Sequence, residues 1–264
     1  MAFGTAGGTH RTSLIQFTPA FQPAKPALPG ALARCESDLP RPSHRRQASS
    51  MGFQQVRRAV RAEVPKLADT LQVAFDGYPW TDWAFPANER AERVGDCFAL
   101  YLAASITGQG EVWTTDNQAC VAMWQRPVTN TASDASLSGP TLSDTESRQL
   151  RARTAILLAE NAETVAAADA AVGAHHPPWP HWFLGSVGTR PEFRRRGLAR
   201  AVLSPVLRQC DQDGLEAVLD TSTRSNVELY AGMGFRTTAE LHPAPGAPTV
   251  RVMVRNPRSP RSPT

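Results

Sequence analysis

The sequence predicts an α+β fold: a central mixed sheet, mostly antiparallel, flanked by helices. A short strand pattern at 56–60 precedes an amphipathic helix at 64–75, and a hairpin pattern covers 110–124. The apolar run at 181–189 leads through a Pro-containing turn into an amphipathic helix at 197–213, which is typical of a crossover between parallel strands. Strands joined both by hairpins and by helical crossovers make a mixed sheet, so we expect one α+β domain.

The remaining elements follow from hydrophobic period and from chain-breaking residues. Ser143 or Asp144 is expected to cap a helix that runs through 158, and the HHPPWPH run ends an Ala-rich helical segment. Cys97 falls on the apolar stripe of its helix and is expected to pack in the core. The other predicted elements are a helix at 88–106, a strand at 215–220, a short helix at 226–233, and strands at 236–241 and 249–254.

Composition separates a folded domain at 51–254 from two tails. Residues 1–50 are rich in Pro, Ala, Ser and Arg without sustained periodicity, and 255–264 is a Pro/Ser/Arg tail, so both are predicted to be disordered. Met51 begins a segment that reads as a domain start, so 1–50 is interpreted as an extension or a mis-assigned start. A transit peptide is the alternative, but no amphipathic helix emerges there.

Charge and cysteine usage limit the function classes. The pI of 9.2 comes from the tails: 1–50 carry six basic and two acidic residues and 255–264 carry three Arg, which leaves −3 for 51–254 out of the total of +4. The basic pI therefore does not indicate nucleic-acid binding. No apolar run is long enough for a membrane span, and the four cysteines lack C-x-x-C spacing, so we expect a reduced, cytoplasmic protein.

A metal site is not expected at the histidine-rich segment. His175, His176 and His181 lie beside Trp179, but the intervening prolines prevent helical pairing of the imidazoles. No acidic or Cys residue is spaced to complete a ligand set.

The segment TRPEFRRRGLAR, 189–200, predicts an anion site. Arg194-x-x-Gly197-x-Ala199 opens the helix that follows the central strand, and the first N–H groups of a helix have no intrahelical partner. Gly197 permits close backbone approach, and Ala199 leaves room beside it. The backbone N–H groups of 195–199 are expected to hold a pyrophosphate, with Arg194, Arg195 and Arg196 adding charge. A solvated charge run is the alternative for these three arginines.

Together with this motif, Asn226-x-x-x-Tyr230 and the following Gly234-Phe235 give the chain a family resemblance. It resembles the GNAT superfamily of acetyl-CoA-dependent N-acetyltransferases. The segments ACVAMWQRP, WFLGSVGTRP and LDTSTRSNVELYAGMGF are more narrowly similar to puromycin N-acetyltransferases. The likeness runs in order through about 51–255 and is weakest between 128 and 174.

The resemblance implies a GNAT-type fold in which two parallel strands splay apart and hold the pantetheine arm of acetyl-CoA. These strands would be the ones that end near Thr189 and Asp220, with free backbone groups at Val187 and Thr189. The cofactor-binding residues it implies are Val187, Gly188, Thr189, Arg194, Arg195, Arg196, Gly197, Leu198, Ala199 and Asn226.

Two catalytic residues are implied. Tyr230 would protonate the departing thiolate, whereas the alternative for a Tyr at helical spacing is core packing beside Phe235. Asp220 would take the amine proton directly or through water, or else would bond its own turn as a strand-end Asp does.

The aromatic segment GYPWTDWAF is expected to form an acceptor-binding loop through Tyr78, Trp80, Asp82 and Trp83, or else to pack on the core. The expected function is transfer of acetyl to a small-molecule amine, most simply an antibiotic or aminonucleoside-like metabolite, by a monomer or homodimer without a metal. Acetylation of a protein N-terminus or lysine, and a non-catalytic acetyl-CoA sensor, are the alternatives.

Overall fold

The computed structural model describes residues 55–127 and 142–258, apart from the side chain of residue 109. Most of the two predicted tails therefore lies outside the described residues. The described strands are β1 (Val56–Arg58), β2 (Gly110–Thr115), β3 (Cys120–Gln125), β4 (His181–Thr189), β5 (Glu216–Thr221), β6 (Arg236–Leu241) and β7 (Val250–Arg255). The described α-helices are α1 (Val64–Ala74), α2 (Pro79–Ala84), α3 (Arg90–Ala104), α4 (Asp144–Leu158), α5 (Ala162–Gly173), α6 (Leu198–Asp213) and α7 (Arg224–Ala231).

The strands form one sheet in the order β1-β2-β3-β4-β5-β7-β6. The β4–β5 pair is parallel, and the other neighbouring pairs are antiparallel. The parallel pair arises because α6 carries the chain from the end of β4 back to the start of β5. The predicted α+β class, a mostly antiparallel sheet flanked by helices, is confirmed.

Each face of the sheet packs against its own set of helices. The first face, which we call the α1–α3 face, buries Leu71 of α1 and Phe98 of α3 against Val218 of β5. The opposite face, the α6 face, buries Val206 of α6 against Leu219 of β5. Successive residues of a strand point to opposite faces, so Asp220, next in β5, points to the α1–α3 face.

Capping residues and a first-turn proline mark where two of the helices begin. Ser143 caps α4 in a capping box, because its hydroxyl accepts a hydrogen bond from the Glu146 N–H and its own N–H donates to the Glu146 carboxylate. Pro65 lies in the first turn of α1, where a missing N–H costs nothing.

Several predicted boundaries differ from the observed ones, three of them in ways that change an element or the domain limit. The aromatic segment, predicted as a loop, contains α2, a single six-residue helix with Pro79 at its first position. The helix predicted at 88–106 ends at Ala104, and the chain continues through a π-type turn (Ser105–Gln109) in which Gly108 has φ 149°. The predicted C-terminal tail at 255 begins too early, because Arg255 pairs with Ala217 as the last residue of β7 and its guanidinium lies 2.8 Å from the Asp211 carboxylate.

Within the described ranges, no helix is both long and apolar enough to cross a bilayer. Cys97, Cys120 and Cys210 are free thiols and are buried. Cys97 packs in the core of the α1–α3 face, as the apolar stripe of its helix predicted.

Candidate active site

The parallel strands β4 and β5 separate partway along their length. Their register runs from His181 opposite Glu216 to Leu184 opposite Leu219, and there it ends, although β4 continues to Thr189. On its other side, β4 places Ser186 opposite Met123 and Leu184 opposite Trp124, which leaves Gly185 as an extra residue. Such a bulge bends a strand. The bulge therefore lies at the point where β4 leaves β5, which we call the splay point.

The backbone of β4 beyond the splay point faces the resulting gap. The Arg190 N–H donates to the Ala119 carbonyl at 2.9 Å, so the backbone groups of Arg190 face β3. Because successive residues alternate in this respect, those of Thr189 and Val187 face away from β3. In the register of the described strands, β5 supplies no residue opposite either of them. The sequence prediction of strand-edge groups at Val187 and Thr189 agrees with this geometry.

The turn between β4 and α6 has the backbone of an anion-binding loop. Arg195 (φ 63°) and Gly197 (φ 76°) both lie in the left-handed region, which is uncommon for a residue with a side chain. Turns that contain left-handed residues can point successive N–H groups toward one side. Within the described residues, α6 begins without a side-chain cap and without an acidic residue in its first turn. Its first N–H groups and the positive end of its dipole therefore favour an anion.

The gap and the loop open into one cleft. The loop side of the lining comprises Phe193, Arg194, Arg195, Gly197, Leu198, Ala199 and Arg200; β4 contributes Val187 and Thr189, and α7 contributes Asn226, Leu229 and Tyr230. The cleft thus brings together eight of the ten residues predicted to bind the cofactor, and Tyr230 with them. Gly188 and Arg196 are not among the lining residues.

Arg194 lines the cleft and also makes hydrogen bonds within the protein. Its Nε donates to the Thr189 carbonyl at 3.3 Å, and its Nη2 donates to the Ala74 carbonyl at 3.1 Å. The guanidinium thereby ties the loop to the end of β4 and the end of α1. Burial lowers its pKa from the ordinary value. Arg194 lines the cleft while bracing the loop that surrounds it.

The two following arginines are exposed. Arg196 lies over the Phe193 ring at 5.2 Å and donates to the Glu192 carbonyl, so it stabilises the turn from its outer side. Arg195 lines the cleft and carries the strained φ. Of the three arginines, Arg195 is therefore the exposed one that the structure places at the cleft.

Gly188 packs against a helix instead of lining the cleft. A Cβ at this position would lie 2.8 Å from Leu71 Cδ2 and 2.9 Å from Ala74 Cβ, both on α1. Alternation explains the difference from its neighbours, because the side-chain position of Gly188 is on the α1–α3 face and that of Val187 is on the α6 face. Gly188 allows α1 to approach β4 closely.

We expect Gly188→Ala to lower the free energy of unfolding by about 1–3 kcal/mol, because the added methyl overpacks the α1 contact. Urea unfolding would measure the loss. Gly185→Ala is the matched control, since its Cβ would meet its nearest neighbours at an ordinary 3.8 Å. Equal destabilisation by the two substitutions would contradict the close-approach role of Gly188.

Tyr230 and Asn226 lie one helical turn apart on α7, and both are buried at the cleft wall. The Asn226 side-chain amide donates to Thr221 Oγ1 at 3.0 Å, which fixes α7 to the end of β5. The Tyr230 ring meets Phe235 edge to face at 5.8 Å. Tyr230 is thus a core residue that also lines the cleft, and its role as the acid stays a prediction.

Asp220 is buried on the α1–α3 face and has a histidine partner that the sequence analysis missed. Its Oδ2 lies 2.8 Å from His176 Nε2. Asp220 is not among the residues that line the cleft on the other face, and β5 continues one residue beyond it to Thr221. Asp169 of α5 is also buried, and burial together with the nearby charge of Asp220 raises its pKa well above the ordinary value.

The aromatic residues around α2 are divided between core and surface. Tyr78 and Trp80 are buried, and the Tyr78 hydroxyl accepts a hydrogen bond from the Ser222 N–H at 3.0 Å, next to the end of β5. Asp82 is exposed and forms an ion pair with Arg90 at 3.0 Å. Trp83 is half-buried and packs on Trp80 at a ring distance of 4.9 Å. Of the four predicted acceptor-binding residues, Asp82 and Trp83 are those that reach the surface.

Comparisons with known proteins agree with this architecture. Residues 124–235 match the sequence model of the acetyltransferase (GNAT) family. A solved structure from Corynebacterium glutamicum, described as histone acetyltransferase HPA2 and related acetyltransferase, superposes with a TM-score of 0.54 at 20% identity, over 78% of this chain and 98% of its own. That likeness concerns the fold.

Two further solved structures are similar at lower TM-scores. The ribosomal-protein-S18-alanine N-acetyltransferase of Escherichia coli has a TM-score of 0.42 at 13% identity, over 80% of this chain and 98% of its own. YncA of Salmonella typhimurium, whose structure holds its cofactor acetyl-CoA, has a TM-score of 0.41 at 13% identity, over 80% of this chain and 97% of its own. The segment 124–235, which contains both splayed strands, the loop before α6 and Tyr230, matches the GNAT acetyltransferase family, and the domain around it has the GNAT fold.

Proposed function

We propose that this protein is an N-acetyltransferase that moves acetyl from acetyl-CoA to a primary amine of a small molecule. The observation that carries the proposal is the cleft, which joins an anion-favouring loop, a stretch of strand with free backbone groups and a buried tyrosine. Each part matches one part of acetyl-CoA: the pyrophosphate, the amide-containing pantetheine arm and the thioester.

The dimensions of the cleft support this arrangement. From Leu184, at the splay point, to Thr189, beside the loop, β4 covers about 16 Å at the usual rise per residue. A pyrophosphate at the N–H groups that open α6 would let the arm run back along β4, with its amides bonded to Val187 and Thr189 as a neighbouring strand would be. The thioester would then lie near the splay point.

The space beside Gly197 also fits a bound phosphate. A Cβ at this residue would meet no atom within 4 Å, so it would point into open space at the cleft. A phosphate can approach this backbone because no side chain occupies the space. The exposed guanidinium of Arg195 adds positive charge beside it.

The chemistry follows as direct transfer within a complex that holds both substrates. The neutral amine attacks the thioester carbonyl, the C–N bond forms and the C–S bond breaks, and no covalent acetyl-enzyme is required. A backbone N–H near Val187 would stabilise the oxyanion, and the Tyr230 hydroxyl would protonate the thiolate. The amine's proton leaves toward Asp220 or toward water.

The acceptor class in this proposal is a weakly basic small amine, of the antibiotic or aminonucleoside kind. The similarity of several sequence segments to puromycin N-acetyltransferases supports it. An α-amine that titrates near ~7.7 is substantially neutral at physiological pH, whereas a lysine amine near ~10.4 is almost fully protonated, so the first needs only a weak base. Half-buried Trp83, with Asp82 beside it, suits a flat cationic group.

The test is an acceptor panel with the full-length chain. Acetyl-CoA would be mixed with puromycin, related aminonucleosides, aminoglycosides, polyamines and a lysine peptide, and thiol release and product mass would be followed. We expect the acetylated product from puromycin or a near relative. Activity on the peptide alone would replace the proposal with protein acetylation, and acetyl-CoA binding without turnover of any amine would favour a sensor.

A further inference from the structure

The pair formed by His176 and Asp220 has the geometry of a proton-accepting dyad. His176 Nε2 lies 2.8 Å from Asp220 Oδ2, the Asp220 side chain is 1% exposed and the His176 side chain is 10% exposed. A buried carboxylate bonded to one imidazole nitrogen fixes which nitrogen carries the hydrogen. With Nε2–H donating to Asp220, the lone pair of His176 is on Nδ1.

The dyad lies beside the splay point. Asp220 directly follows Leu219, the last residue of β5 that pairs with β4. The His176 ring stacks at 5.1 Å on Phe183, the residue before Leu184 on β4. The imidazole thus lies on the α1–α3 face at the level where β4 and β5 separate, across the sheet from α6.

Asp220 is the carboxylate that bonds the imidazole, and three other titratable groups lie near this pair. Asp169 of α5 lies near Asp220, and its burial together with the Asp220 charge raises its pKa, which favours the neutral carboxyl. His181 of β4 also lies near His176, with rings 6.1 Å apart, and its Nδ1 is bonded to the Trp179 carbonyl at 2.8 Å. Cys97 of α3, near Asp169, is a thiol whose pKa burial raises.

We propose that His176 is the general base of the acetyl transfer and that Asp220 is the positioning residue that orients it. This inference rests on the proposed function. As the amine nitrogen bonds to the thioester carbonyl carbon, its proton passes to His176 Nδ1 and the C–S bond breaks. The leaving sulfur takes the Tyr230 proton, and solvent later removes the proton from His176 and restores that of Tyr230. One amine and one acetyl-CoA thus give one amide and one CoA thiol.

The test is His176→Gln, because the glutamine amide can still donate to Asp220 but cannot accept a proton. We expect kcat to fall by about a hundredfold or more, with unchanged affinity for acetyl-CoA. In the wild type, the pH profile of kcat should show an acidic limb, since only the neutral imidazole can accept the amine proton. The variant should lose this limb, whereas the amine's own titration is common to both proteins.

His175→Gln is the matched control, since this neighbouring histidine is exposed and its imidazole has no part in the proposal. It should keep the wild-type kcat and pH profile. A His176→Gln enzyme with wild-type kcat and an unchanged acidic limb would overturn the assignment while the proposed function stands. No turnover by the wild type of any amine in the panel would overturn the proposed function, and the assignment would fall with it.

A second measurement does not depend on activity. The ¹⁵N chemical shifts of His176 report its tautomer, and we expect hydrogen on Nε2 and a bare Nδ1 at pH 7. The Asp220→Asn variant should change this tautomer balance and lower kcat. Hydrogen on Nδ1 in the wild type at pH 7 would contradict the proposed base.

Discussion

Replacing Tyr230 with Phe is expected to lower kcat by about a hundredfold to a thousandfold, while the affinity for acetyl-CoA stays nearly unchanged. The ring is buried at the cleft wall and packs on Phe235, so Phe keeps the shape and removes only the hydroxyl. Thiol release would give kcat, and titration calorimetry would give the affinity.

The size of the effect follows from the acid strengths. A phenol titrates near ~10 and a thiol near ~8.5, so proton transfer from the phenol is uphill by about 2 kcal/mol even to the free thiolate, and by more while the C–S bond is intact. Tyr230 can therefore act only as the C–S bond breaks, when the sulfur is becoming basic. Without the hydroxyl, the thiolate must leave unprotonated or wait for water.

Tyr101→Phe controls for the loss of a buried hydroxyl as such. Tyr101 is buried on α3 and accepts a hydrogen bond from Thr154 at 3.2 Å, away from the cleft. We expect this variant to lose about 1 kcal/mol of stability and to keep its kcat. If Tyr230→Phe also kept its kcat, Tyr230 would be a packing residue and the acid would have to be sought elsewhere.

Elements could be predicted from the sequence where a long stretch shows regular hydrophobic periodicity and chain-breaking residues mark its ends. β4 has the predicted bounds because its apolar run lies between Pro180 and Pro191, which cannot extend it. α2 could not be predicted, since six residues are too short to show a helical period and two tryptophans read equally well as a loop.

The anion loop could be predicted because its residues are contiguous, whereas the His176–Asp220 pair could not. His176 and Asp220 are 44 residues apart in sequence, and they meet only because the HHPPWPH segment packs against β4 and β5. The local spacing of these histidines carries no information about a distant carboxylate. The different roles of Gly188 and Val187 likewise depend on which face of the sheet each residue of β4 points to. The bulge at Gly185 shifts that alternation relative to β3.

The second large effect is expected at the loop itself: Gly197→Ala should weaken acetyl-CoA binding by about tenfold to a hundredfold. A hydrogen bond to a charged group contributes about 1.5–3 kcal/mol, and a methyl at the open space beside Gly197 would keep a phosphate away from the N–H groups that open α6. The substitution also strains the backbone at φ 76°, by about 1–2 kcal/mol. Calorimetry with acetyl-CoA measures the affinity, and thermal unfolding measures the strain.

Gly214→Ala separates the loss of phosphate binding from the backbone strain, because Gly214 caps the other end of the same helix. It has φ 69°, and a Cβ there would also meet nothing within 4 Å, so Gly214→Ala carries the same backbone strain at the end of α6 remote from the cleft. We expect similar losses of stability from both variants and a loss of acetyl-CoA affinity from Gly197→Ala alone. Equal affinities in the two variants would mean that the N-terminus of α6 does not hold the phosphates, and the orientation of the cofactor in the cleft would have to be reversed or abandoned.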